Sequence, residues 1–96
     1  MKNCSFVIQK YVERPLLVDG RKFDIRVWAL VTQNFNIYFF KEGYIRTSTE
    51  TFSTENIDNY YIHLTNNAIQ KNSCNYGIFE NGNQLPYKDL AKFVGE

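Results

Sequence analysis

The sequence is poor in the residues that mark several common protein classes. Its 96 residues hold two cysteines, Cys4 and Cys74. They lie far apart with no second pair, which argues against a disulfide framework and against a CxxC zinc or redox motif. Cysteine used this sparsely suits a reducing cytosol. His63 is the only histidine, so a metal site built on paired imidazoles has no second ligand. No apolar run approaches the ~18 residues of a membrane span, and "MKNCSF" lacks the apolar core of a signal peptide. Asn3-Cys4-Ser5 fits the glycosylation sequon, but without a secretory signal it reads as chance. Charge of one sign is scarce as well. The formal net charge is +1, not the strongly basic balance of a general nucleic-acid binder, although a local basic groove stays possible. Neither nucleic acid nor membrane is therefore expected as a partner. GxSxG, GxxxxGKS/T and GxGxxG are all missing, so serine-hydrolase, P-loop and Rossmann chemistry have no foothold.

What is present is apolar and aromatic. Hydrophobic residues make up 44% and aromatics 17%, too much for a disordered tail and enough for at most one small domain. "SFVIQKYV" (5–12) has strand composition and ends before Pro15, which disfavours helix at Arg14 and denies a ladder its donor. Asp19-Gly20 marks a turn. "FDIRVWALVT" (23–32) alternates as a strand, with Phe23, Ile25, Val27, Ala29 and Val31 on one face and Asp24, Arg26, Trp28 and Leu30 on the other. After the polar turn "QNFN", "IYFFKE" (37–42) predicts a third strand antiparallel to the second, and "YIRTST" extends beyond Gly43. Ser53 or Thr54 could cap a short helix or turn. "YYIHLT" (60–65) predicts another short strand. "LPYKDLAKFVGE" predicts an amphipathic helix with Pro86 in its first turn and Tyr87, Leu90, Ala91 and Val94 on one stripe. The expected class is α+β: antiparallel strands with a C-terminal helix. One short helix is little cover for so many Phe and Tyr, which suggests a piece of a larger domain.

Lys22, Asp24 and Arg26 share one strand face. Solvent would be the ordinary explanation for them. Trp28 and Leu30 continue that face, however, as a cleft wall would. Two cations bracketing an anion also suit a nucleotide phosphate site. Lys10 at a strand tip and Arg46 after the Gly43 turn are open to the same two readings. His63 alone reads as a structural hydrogen-bonder, yet "HLTNN" gathers groups able to bind phosphate or ribose oxygens.

Taken in order, "QKYVERPLL", "RKFDIR", Glu42-Gly43, Arg46-Thr47 and "HLTNNAIQK" make the chain resemble the tubulin–tyrosine ligase family, from about Phe6 to Val94. Within it, "NIYFFKEGYIRTSTETF" and "NYGIFENGNQ" look most like the tyrosine ligase branch. The resemblance implies a partial ATP-grasp fold. It also implies an ATP-dependent ligase joining Tyr, Glu or Gly to tubulin C-terminal tails through an acyl-phosphate, located in the cytoplasm, on the microtubule cytoskeleton or in the cilium. It implies that Gln9, Lys10, Tyr11 and Val12 line the adenine side and that Lys22 and Asp24 meet the nucleotide. Arg26 and Arg46 would serve the transferred phosphate or the free amino acid's carboxylate, while His63, Thr65 and Asn66 would line the same pocket. In the family pattern an N-terminal lobe precedes this region. The Mg²⁺ carboxylates follow it, as Asp … Glu-x-Asn, and nothing after Gly82 matches them. Residues 1–96 are thus expected to be a slice of one catalytic domain that does not ligate alone; amino-acid incorporation into tubulin by the purified chain would overturn this. A non-catalytic nucleotide- or tubulin-binding module, or a pseudo-enzyme remnant, is the alternative.

Overall fold

The computed structural model describes residues 3–95. Strands β1 (Arg21–Arg26), β2 (Ala29–Val31), β3 (Ile37–Phe39) and β4 (Tyr44–Thr51) come first. One-turn helices α1 (Tyr60–His63) and α2 (Asn67–Gln70) follow, then β5 (Gln84–Pro86) and helix α3 (Tyr87–Phe93). β4 is the middle of an antiparallel sheet ordered β1-β4-β5, and β2 pairs with β3 in a separate antiparallel hairpin. The α+β class, the antiparallel pairing and the C-terminal helix match the sequence expectation.

Four local expectations need correction. The single strand expected over 23–32 is divided between two sheets, with Val27 and Trp28 outside both. At the break, the Tyr87 hydroxyl donates to the Arg26 carbonyl at 2.5 Å, so a side chain takes the place of the next ladder bond. The apolar face expected there is consequently not buried; Ile25 is 51% and Val31 58% exposed. Second, "SFVIQKYV" has strand composition but joins no strand ladder among the described residues, and it lies exposed. Third, "YYIHLT" is helical at 60–63. Asn59 accepts from the Tyr61 N–H at 3.0 Å as its N-cap, and Lys22 and Gln70 donate to the carbonyls of Tyr61, His63 and Leu64. Those side chains supply what a neighbouring strand would have supplied. Fourth, Pro86 ends β5 and caps α3 from outside, and Val94 falls beyond the helix and is exposed. Ser53 makes a turn, accepting from the Glu55 N–H.

The interior is more polar than apolar. Val18, Ile45 and Ile62 are buried hydrophobics, and beside them lie Arg21, Thr47, Ser48, Thr49, Gln70 and Asn83. Such groups are tolerable only when hydrogen-bonded, and β4 shows how. Past its last rung with β5 (Arg46 opposite Gln84), the Thr49 N–H donates to Gln70 Oε1 at 2.9 Å. The Ser48 carbonyl accepts from Arg21 and Asn83. The hairpin differs. Every residue of β2 and β3 is exposed, and Trp28, Ala29, Leu30, Tyr38, Phe39 and Phe40 line an open apolar groove of about 590 Å³.

Gly43 fits where nothing larger would. A Cβ there would meet the Tyr87 hydroxyl at 1.9 Å and the Arg26 carbonyl oxygen at 2.4 Å. Gly43→Ala is expected to destabilise the chain by about 1–3 kcal/mol through overpacking, read from the urea midpoint; an unchanged midpoint would show that the notch is loose.

Candidate functional site

Strand pairing brings the charged residues together. Asp24 lies opposite Arg46, and Arg26 opposite Tyr44, so all four share one sheet face. Arg46 donates from Nε to Asp24 Oδ1 at 2.8 Å and from Nη2 to Oδ2, a forked ion pair. The hydrogen bond to Asp24 raises the Arg46 pKa above its usual value. The Asp24 charge acts in the same sense, and burial opposes it. Arg46 keeps Nη1 without a hydrogen-bond partner among the described residues, and the Arg26 guanidinium has none either. Trp28 leans on Tyr44, with ring centroids 5.7 Å apart, and so does stay beside this face. Leu30, expected on it, belongs to the hairpin.

Lys22 makes the other half of the site. Its ammonium donates to the His63 carbonyl at 2.8 Å and the Tyr11 hydroxyl at 3.3 Å, and lies 4.9 Å from the Tyr11 ring centroid. The Tyr11 hydroxyl is 2.7 Å from His63 Nδ1, while His63 Nε2 is 3.3 Å from the Asn56 carbonyl. A carbonyl only accepts, so Nε2 carries the proton and Nδ1 accepts from Tyr11. Phe52 stands edge-on to the same imidazole. His63 thus ties the N-terminal segment to α1.

The structure gathers Tyr11, Lys22, Asp24, Arg26, Arg46 and His63 along β1, β4 and the end of α1. No side-chain hydrogen bond or ion pair among the described residues joins Gln9, Lys10, Val12, Thr65 or Asn66 to this group. Gln9, Lys10 and Val12 are exposed and make no side-chain hydrogen bond or ion pair among the described residues. Thr65 is buried, and Asn66 is exposed and begins α2 with its backbone carbonyl. Sequence reasoning missed Arg21, Glu80, Thr47, Asn83 and Tyr87, whose bonds hold β1 and β4 in place. "NYGIFENGNQ", which holds Glu80, entered only as a family likeness, and nothing in it pointed to Arg21, 59 residues away.

The donor set suits a polyphosphate. It offers three cations on neighbouring positions, two of them with unpaired N–H groups. It does not suit a magnesium ion. Asp24 is committed to Arg46, and no three His, Cys, Asp or Glu side chains converge among the described residues.

Residues 1–92 match the tubulin-tyrosine ligase family. The chain belongs to that family. It is 52% identical to human tubulin monoglycylase TTLL3 over 79 residues, covering 77% of this chain and 10% of that protein. It is 44% identical to tubulin glycylase 3D of Tetrahymena thermophila, covering 96% and 9%. It is 43% identical to the probable tubulin polyglutamylase TTLL9 of mouse, covering 77% and 16%. The chain thus spans a small part of each family relative's length. These relatives bear glycylase and polyglutamylase names, and they lend no support to special nearness to the tyrosine ligase branch.

Proposed function

We propose that this chain forms the phosphate-binding wall of a partial ATP-grasp site, in an ATP-dependent ligase that joins an amino acid to tubulin tails. The observation that carries the reading is the shared face of Lys22, Arg26 and Arg46, with Arg46 braced by Asp24. Lys22 and Arg26 hold phosphate oxygens, and Arg46 Nη1 meets the charge that builds up during transfer. An acceptor carboxylate oxygen bonds to the γ-phosphorus as ADP leaves. The amino acid's amine then bonds to the acyl carbon, and phosphate leaves. Two anions must approach each other for the first bond to form, which is why cations must line the wall. The glycylase names among the relatives favour glycine over glutamate or tyrosine as the amino acid. The cytoplasm and its microtubules follow as the place of action.

Lys22→Ala tests the wall directly. In the full-length gene product it is expected to weaken ATP binding roughly 10- to 100-fold, the worth of one hydrogen bond to a charged group, measured by calorimetric titration. Unchanged affinity would remove the reading.

A further inference from the structure

Lys22 is peculiar in having no residue opposite it. Phe23 faces Thr47, but Arg21 faces Thr51, so β4 carries two extra residues between these rungs. A regular ladder would fix Lys22 by its rung; here its place depends on whatever holds the bulge. That holder is a buried polar network behind the charged face. Arg21, 2% exposed, makes a forked ion pair with Glu80, 8% exposed. Arg21 Nη1 also donates to the bulge carbonyl of Ser48 at 3.1 Å, and its guanidinium stacks 4.2 Å over the Phe79 ring. Glu80 Oε2, which accepts from Arg21 Nη1, also accepts from Thr47 Oγ1 at 2.8 Å. Asn83 closes the network, donating to the carbonyls of Thr47 and Ser48 and to Thr47 Oγ1. It accepts from the Gly77 N–H at 2.7 Å.

Arg21 adjoins Lys22, and Thr47 adjoins Arg46. Because strand side chains alternate, a grip on Arg21 and Thr47 from behind places their neighbours in front. We infer that Glu80 is a positioning residue, joining Arg21 to Thr47 so that Lys22 and Arg46 stand at a working separation on one nucleotide. This inference rests on the proposed nucleotide reading and adds to it a residue that touches no ligand. Its two arms act differently. The Arg21 arm sets Lys22 and therefore nucleotide affinity. The Thr47 arm sets Arg46 and therefore turnover.

The test uses the full-length gene product, with magnesium-ATP affinity measured by calorimetry and turnover by amino-acid incorporation into tubulin. Readings are taken at a temperature where circular dichroism shows each variant folded. Arg21→Lys keeps the charge and loses the fork; it is expected to weaken ATP binding about tenfold, more than it lowers turnover. Thr47→Val keeps the shape and loses the link to Glu80; it is expected to lower turnover about tenfold with ATP affinity nearly kept. Glu80→Gln is expected to do both. Should Glu80→Gln not fold, the opposite splits of the other two variants decide. Wild-type constants in both variants, or losses that only follow the folded fraction, overturn the inference. Lys22→Ala separates the two levels: normal affinity in that variant overturns the nucleotide reading and this inference with it. Weakened affinity there, beside normal Arg21→Lys and Thr47→Val, overturns the positioning role alone.

Discussion

Arg46→Ala is expected to lower the turnover of the full-length gene product about 100-fold, or ~3 kcal/mol of barrier, the scale seen when one preorganised donor is lost. The loss has two sources. The free Nη1 is removed from the phosphate face, and Asp24 is left as an unpaired carboxylate where anions must come. ATP affinity should fall much less, because Lys22 and Arg26 remain. Arg46→Lys should recover only part of the rate, since an ammonium cannot fork onto Asp24 and still reach a second anion. Incorporation of labelled amino acid into tubulin under saturating ATP measures this. Turnover within about threefold of wild type in Arg46→Ala would exclude Arg46 from the transfer step.

Arg21→Met is expected to be the most destabilising single change, costing about 3–5 kcal/mol. It strands the Glu80 carboxylate in the interior and frees the Ser48 carbonyl from one of its donors. A domain of this size has about 5–15 kcal/mol in all, so the variant stands near the edge of folding. The pair itself is not optimal, because Arg21 Nε finds no hydrogen-bond partner among the described residues. Replacing both residues, Arg21→Met with Glu80→Leu, should therefore cost less than Arg21→Met alone. Urea unfolding of the two single variants and the double variant forms the cycle. A single-variant loss below about 1 kcal/mol would mean that the pair behaves as a surface ion pair.

The charged face was legible because period-two alternation is a strong signal, and strand pairing sets Arg46 opposite Asp24. The hairpin at Ala29–Val31 and Ile37–Phe39 and the extended run after Gly43 were legible for the same reason, and the final helix from its apolar stripe at helical spacing. The errors have a common origin. Alternating apolar residues in "YYIHLT" and β-branched ones in "SFVIQKYV" describe local preference, while a strand also needs a partner. At 60–65, Lys22 and Gln70 supplied backbone partners from elsewhere and made a helix turn sufficient. Asn83, Gln70 and Arg21 act as stand-ins for missing ladder groups. A polar residue used that way leaves no periodic trace, and its partner can lie tens of residues off. The adenine-side roles of Gln9, Lys10 and Val12 came only from family likeness.

The two edge strands are clasped across the middle one. Arg21 reaches the segment just before β5, and the Arg26 carbonyl reaches Tyr87 just after it. A one-residue slip of β4 would turn Arg46 to the wrong face. A two-residue slip would keep it on the correct face and so escape any selection by burial alone. It would, however, carry Arg46 away from Asp24 and Thr47 away from Glu80. The bonds of Arg46 to Asp24 and of Thr47 to Glu80 thus reject the even-numbered slips that alternation cannot.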